Sequence, residues 1–348
     1  MRGILLIFVL LLLAAAGRLL WVVVPASGAF ASLEAKRVET CSRVEVAPGT
    51  EDVQVDRQTG LVFVSASDRR SPEQPSGGIH VFDLATMGSA QLVSQDAPDD
   101  FRPHGISLWR GEDGAARLFA INHPAAGGHA VEIFDIGDGG FLSHVRTVSF
   151  DAMYFPNDVV GVGPEQFYVS NDRARMGGFV RAVEPYFGLP LTSVAYWDGT
   201  DGRMVADQLI YANGINVSAD GASMYVAEVL GRQVSIYDRD AASGDLTFVR
   251  AHKVGTNPDN IDVDEDGSLL IAGHPRIFDF LAHAEDPAAV APSEVVRLDV
   301  QSGDVTSVFV DLDGAISASS VGAAGAGHLV VGAVFQGHVL VCPMDEGA

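Results

Sequence analysis

At six places along the chain a polar residue stands about ten positions ahead of an apolar, strand-like run: Glu51-Asp52, His104, Asn157-Asp158, Asn213, Asp259-Asn260 and, last, only the small Ser317. Oxygen donors of mixed Asp, Asn and Glu type, with no cysteine among them, suit calcium far better than zinc or copper. Asn and Asp also open turns ahead of strands, so a single such position says little. Four at matching places point to one convergent site. His104, in FRPHGIS, shares that phase, and His123, in INHP, ends the following strand. Antiparallel neighbours bring such imidazoles within hydrogen-bond reach, and a base beside a Lewis acid is the make-up of a hydrolytic site. His274, in AGHPR, ends its strand as His123 does and is placed to face the same opening. His129, His144 and His283 fall in loop-like stretches and receive no role.

The elements that must position these residues repeat. Strand-like segments recur about every 53 residues: LVFVSAS from Leu61, RLFAINH from Arg117, QFYVSND from Gln166, SMYVAEV from Ser223, SLLIAGH from Ser268 and HLVVGAV from His328. After the first five comes a further strand closing on a bulky apolar residue and Asp, as in Phe82-Asp83 and Tyr237-Asp238; the sixth closes on VLVC at Cys342. One four-stranded meander cannot bury both faces, but six arranged radially can. The expected fold is therefore all-β, a six-bladed β-propeller, in which equal phase means equal place at one end of a central channel. Closing the ring joins the first unit to the last. A Cys41–Cys342 bridge lies where that closure is needed and would stabilise by about 4–5 kcal/mol on the chain-entropy model. Composition agrees: 348 residues, 47% hydrophobic, with 38 glycines for tight turns. A net charge of -23, with Lys36 and Lys253 the only lysines, would repel a phosphate backbone, so no nucleic-acid partner is expected.

Met1-Arg2 opens a thirteen-residue apolar or small run, Ile4 to Ala16, and the apolar character resumes from Leu19 to Pro25 before Ala29-Phe30-Ala31. Residues 1–31 thus read as a signal peptide or an uncleaved membrane-anchoring helix, and 32–348 as the propeller. Either places the globular part outside the cytoplasm, where a disulfide persists, and retention would give membrane association through this segment. Several motifs fail. Asp262 to Gly267 begins like an EF-hand loop but has Gly273 at the twelfth position, so it reads as a hairpin turn. Asn216-Val217-Ser218 matches a glycosylation sequon, a pattern common by chance. The stretch Ser71 to Gly78 reads as an inter-strand loop. There is no G-x-S-x-G, HExxH or P-loop.

The strings PHGIS, NHP, FPNDV, YANGINVS, DNIDVD, GHP and VFQGHVLVC, in this order from Cys41 to Cys342, resemble the serum paraoxonase/arylesterase family. The resemblance implies a propeller with two calcium ions, a disulfide between its first and last strands, and calcium-dependent hydrolysis of lactones and aryl esters. It implies a catalytic calcium on Glu51, Asn157, Asn213, Asp259 and Asn260, and a structural calcium on Asp52, Asp158 and the carbonyl of Ile106. His104 would be the base, His123 its partner and Asp172 a supporting carboxylate, with Tyr211, His274 and Phe335 along the pocket. Two departures touch the pocket wall: Asn171-Asp172-Arg173 where the family often has Asn-Asp-His, and Gly273-His274-Pro275 where it often has Cys-His-Pro. The loop from Asp68 to Gly78 also lacks the aromatic-containing lid expected there. Two other readings share the architecture: a gluconolactonase-type sugar lactonase, which lacks the His pair, and a non-catalytic propeller that binds a ligand over its top face.

Overall fold

The computed structural model describes residues 2–71 and 77–344, so residues 72–76 of the expected inter-strand loop lie outside the described ones. Six antiparallel four-stranded sheets form the body. Blade 1 begins with Thr50–Asp56, blade 2 with Pro103–Arg110, blade 3 with Pro156–Gly161, blade 4 with Ala212–Val217 and blade 5 with Pro258–Val263. Blade 6 joins the two ends of the chain. Its inner strands Ser319–Gly325, His328–Ala333 and His338–Pro343 come from the C-terminus, and its outermost strand, Ser42–Glu45, comes from the other end. Ser42 pairs with Val341, and the adjacent Cys41 is bonded to Cys342 across 301 residues of sequence. The ring is locked by both a strand and a covalent bond.

Alternation along the strands explains why the blades stack. In the second strand of blade 2, Leu118 and Ala120 pack with Phe63 and Ile79 of blade 1, while Phe119 and Ile121 pack with Val159 and Phe167 of blade 3. Each of the six apolar clusters likewise fills one interface between neighbouring blades. A strand buried on both faces needs apolar residues in succession, which is why these segments read as near-continuous runs. Each fully buried Val, Leu, Ile or Phe contributes about 1.5–3 kcal/mol.

The first strands of the six blades contact one another in a closed ring around the channel. All six carry a register shift near their first residue, as between Pro103 and Ile106 or Pro258 and Ile261. A β-bulge re-aims side chains, and here it turns consecutive polar residues inward at one channel mouth. Ser317 is not one of them. The shift in blade 6 lies between Ser319 and Val321, so Ser320 takes the place of Glu51, and its hydroxyl donates to the Glu51 carbonyl at 2.6 Å. Strand packing at the mouth is tight: a Cβ on Gly105 would stand 2.3 Å from Asp158 Oδ1 and 2.6 Å from its Cα.

Among the described residues three α-helices depart from the all-β body. Arg2–Ala26 is one continuous helix, long and apolar enough to cross a membrane. Phe179–Phe187 and Ile277–Glu285 are inserted between the second and third strands of blades 3 and 5. His283 therefore lies in a helix and His144 in the strand Leu142–Val148, not in loops. The Asp262–Gly267 segment is a hairpin turn, with Gly267 at φ +82° and Asp264 and Asp266 both paired with Arg297. Asn216 is half-buried and donates to the Ile261 carbonyl at 2.8 Å, which leaves its amide engaged within the fold.

Candidate active site

The bulges gather Glu51, His104, Asn157, Asn213 and Asp259 around the floor of one pocket of about 380 Å³, together with Tyr211 and His274. Asn260 stands against them, its Nδ2 donating to Glu51 Oε1 at 3.1 Å. His274 Nε2 lies 2.9 Å from Asp259 Oδ2. Asp172 sits behind the floor, where Asn157 hydrogen-bonds to it; burial raises its carboxyl above the ordinary range against the pull of Arg173 and His104. Phe335 stands one ring back, packed against Phe280 with ring centroids 5.8 Å apart.

The floor is short of hydrogen bonds. Glu51 Oε2, Asn157 Oδ1, Asn213 Oδ1 and Asn260 Oδ1 are buried oxygens with no hydrogen-bond partner among the described residues. Each would cost about 1–3 kcal/mol if it stayed unsatisfied. No group of three His, Cys, Asp or Glu side chains is spaced for a metal among the described residues; amides supply three of the four orphaned oxygens. Mixed carboxylate and amide oxygens from blades 1, 3, 4 and 5 fit a hard cation such as calcium. Burial works to raise the Glu51 carboxyl, but His104, Arg69 and Asn260 overcome it and hold it at about 2.

One residue further along the same strands, Asp52 and Asp158 form a deeper layer. Asp52 accepts from Val53 N at 2.8 Å and from Ile106 N of the next blade at 2.6 Å. Asp158 repeats the arrangement with Val159 N at 2.7 Å and Ile215 N at 2.8 Å. Burial pushes both carboxyls well above the ordinary range, and their mutual repulsion adds to this at Asp52. Two facing buried carboxylates call for a countercharge.

A line of imidazoles leads away from Glu51. His104 Nε2 is 3.4 Å from Glu51 Oε1, and His104 Nδ1 is 3.1 Å from His123 Nε2. His123 Nδ1 in turn lies 2.8 Å from His129 Nδ1, so His129, read above as a loop residue without a role, belongs to this line. Burial, then the neighbouring His104, holds the His123 imidazole well below 6.5. The hairpin rung Asn122↔Ala130 sets His123 and His129 opposite each other, and Asn122 is itself fixed by donating to the buried Glu132 at 2.8 Å. Arg69 is the other unforeseen member: it donates to the carbonyls of Gly49 and Ser67 and lies 3.6 Å from Glu51 Oε2.

The pocket walls are apolar. Val22, Val23 and Ala26 of the first helix, Pro185 and Tyr186 of the second, and Ile277, Phe278, Phe280 and Leu281 of the third line it. The first helix is tied down at its C-terminal end. Arg18 donates to the carbonyls of Phe187 at 2.8 Å and Gly188 at 2.5 Å, and the Ala26 carbonyl accepts from Asn257 at 3.0 Å. Local signals for the other two helices do exist: apolar residues at 277, 278, 280 and 281 follow helical spacing, and Gly188, at φ +52°, is a left-handed C-terminal cap.

Comparison with known proteins places this chain. The chain is 32% identical to human serum paraoxonase/arylesterase 1 over 314 residues, 85% of this chain and 86% of that protein. It is 31% identical to chicken (Gallus gallus) serum paraoxonase/arylesterase 2, over 85% of this chain and 86% of that one. Among solved structures, a gluconolactonase from Xanthomonas campestris matches with TM-score 0.55 at 15% identity over 90% of this chain and 93% of that one. The calcium-binding protein regucalcin from Agrobacterium tumefaciens matches with TM-score 0.52 at 14% identity, over 90% and 94%. At such identities the two structures speak for the propeller alone. The sequence profile of the arylesterase family matches residues 52–344, from the first blade to the closing strand of the last, and the chain belongs to that family.

Proposed function

We propose that the protein is a calcium-dependent hydrolase of lactones and aryl esters. The observation that carries this reading is the set of four orphaned oxygens beside His104 on the floor of an apolar pocket. Glu51, Asn157, Asn213, Asp259 and Asn260 would hold one calcium ion; Asp52, Asp158 and the Ile106 carbonyl would hold a second. When bound, the first ion supplies Lewis acidity to a carbonyl oxygen, a contribution of several kcal/mol. His104 takes the proton of the attacking water, a role that typically contributes about 10²–10⁴-fold. His123, kept neutral by its burial, fixes the His104 tautomer. Asp172 holds the Asn157 amide, and Tyr211 and His274 bound the space left for the acyl part, with Phe335 supporting that wall from behind Phe280.

The lining selects among substrates. Val22, Ile277, Phe278 and Leu281 offer nothing to the hydroxyls of a sugar lactone, whereas an alkyl or aryl group buries apolar surface there. The same contacts favour retention of the N-terminal helix as an anchor, because removal after Ala31 would strip Val22, Val23 and Ala26 from the pocket. The protein is accordingly read as exported and membrane-held, with the propeller on the oxidising side. Hydrolysis of an alkyl-tailed δ- or γ-lactone, an acyl-homoserine lactone, phenyl acetate and gluconolactone tests the reading. Turnover of the first three well above gluconolactone is expected. Turnover of none of them by calcium-loaded protein would overturn it in favour of a binding propeller, and a preference for gluconolactone would favour the sugar-lactonase reading.

A further inference from the structure

We propose that His129 is the solvent-side end of a three-imidazole proton relay that serves His104, a proposal that rests on the hydrolase reading above. His123 cannot be the outlet. It is partly buried, and its two nitrogens are already committed, Nε2 to His104 at 3.1 Å and Nδ1 to His129 at 2.8 Å. His129 is half-exposed, beside Gly127 and Gly128 at the tip of the hairpin, and its ring packs against Phe155 at 5.5 Å between centroids. Its Nδ1 faces inward, and its Nε2 is the only ring nitrogen of the three at the far end of the line.

Proton balance follows from the tautomers this line allows. At rest His104, His123 and His129 carry their protons on Nδ1, Nδ1 and Nε2. As water attacks the carbonyl carbon, the O–H electron pair becomes the new C–O bond and the proton goes to His104 Nε2. His104 Nδ1–H passes to His123 Nε2, His123 Nδ1–H passes to His129 Nδ1, and His129 Nε2–H leaves to bulk water. When the C–O bond to the leaving group breaks, its oxygen keeps the electron pair and takes the proton from His104 Nε2. The same line then runs inward, one proton entering at His129 Nε2, and every tautomer is restored. Ester and water give acid and alcohol with no net transfer along the relay.

The test compares wild type with His129→Phe, which keeps the packing on Phe155, and His129→Gln, both checked for unchanged melting temperature and calcium content. Expected is a loss of roughly tenfold in kcat with KM unchanged, part of the general acid–base contribution, restored in a concentration-dependent way by added imidazole. The solvent deuterium isotope effect on kcat should rise in both variants. In wild type, proton NMR should show a strongly deshielded imidazole resonance for the 2.8 Å contact that both variants lose. Variants as fast as wild type, or slow variants that imidazole does not restore, would overturn the relay while leaving the hydrolase reading intact. Absence of ester turnover in wild type would overturn both.

Discussion

Two layers of acidic and amide side chains lie one residue apart along the same strands, yet their hydrogen bonding is opposite. In the layer at the channel mouth, Glu51 Oε2, Asn157 Oδ1 and Asn213 Oδ1, joined by Oδ1 of Asn260 from the next position of blade 5, are buried with no hydrogen-bond donor among the described residues. In the layer beneath, both oxygens of Asp52 and of Asp158 accept backbone N–H groups, one from their own strand and one from the next blade. The first layer is built to receive something; the second already staples blade 1 to blade 2 and blade 3 to blade 4. A bulge makes the difference, since it lets consecutive residues both turn inward instead of alternating between faces. Chemistry and cohesion are thereby separated by a single step in sequence.

The sharpest way to break this comparison is to exchange the effects. Glu51→Gln removes charge from the mouth layer and should lower kcat/KM by about 10³-fold, the scale of losing a charge-stabilising group, with the fold intact by circular dichroism. Activity near wild type would show that the mouth layer is not catalytic. His104→Gln comes next, with a loss of about 10²-fold or more in kcat and calcium affinity within twofold of wild type by titration. In the lower layer, Asp158→Asn should act on stability instead, costing about 1–3 kcal/mol in denaturant unfolding because an amide NH2 faces a backbone donor, with calcium-saturated kcat largely retained. The smallest effect concerns pH. His123 is held well below 6.5 in the folded chain, so below that pH the unfolded chain binds a proton the folded one refuses. Its contribution to stability is complete above about pH 6.5 and is lost as the pH falls towards the folded-state value. His123→Phe should flatten that part of the stability profile; an unchanged slope would mean that His123 is not the group responsible.

Much of the fold was legible because its signals are local and repeated. The double-sided burial of strands such as Leu118 to Ile121 forces successive apolar residues, and six such runs at one phase leave few architectures. Glu51, Asn157, Asn213 and Asp259 could be grouped for the same reason, since radial symmetry turns phase into place. Ser317 went astray because a serine-rich run, Ser317-Ala318-Ser319-Ser320, does not reveal which residue follows the bulge. His129 depended on the hairpin rung Asn122↔Ala130, a pairing that seven intervening loop residues, 123–129, do not announce. Arg69 lies in a loop whose path is set by the carbonyls of Gly49 and Ser67, contacts with no counterpart in a sequence pattern. The pocket-lining helices carried usable signals at Gly188 and in the apolar spacing from Ile277, which the dominance of strand repeats obscured.

The central claim is that the mouth layer holds a catalytic calcium ion, and calcium removal tests it most directly. The protein should be stripped with a chelator and then titrated with calcium while hydrolysis of phenyl acetate and an alkyl lactone, bound calcium and melting temperature are followed together. Activity should vanish on chelation and return in proportion to one bound ion, and the melting temperature should rise as calcium binds, because an ion bound only by the folded state stabilises it. Full activity in protein shown by elemental analysis to be free of calcium would contradict the claim.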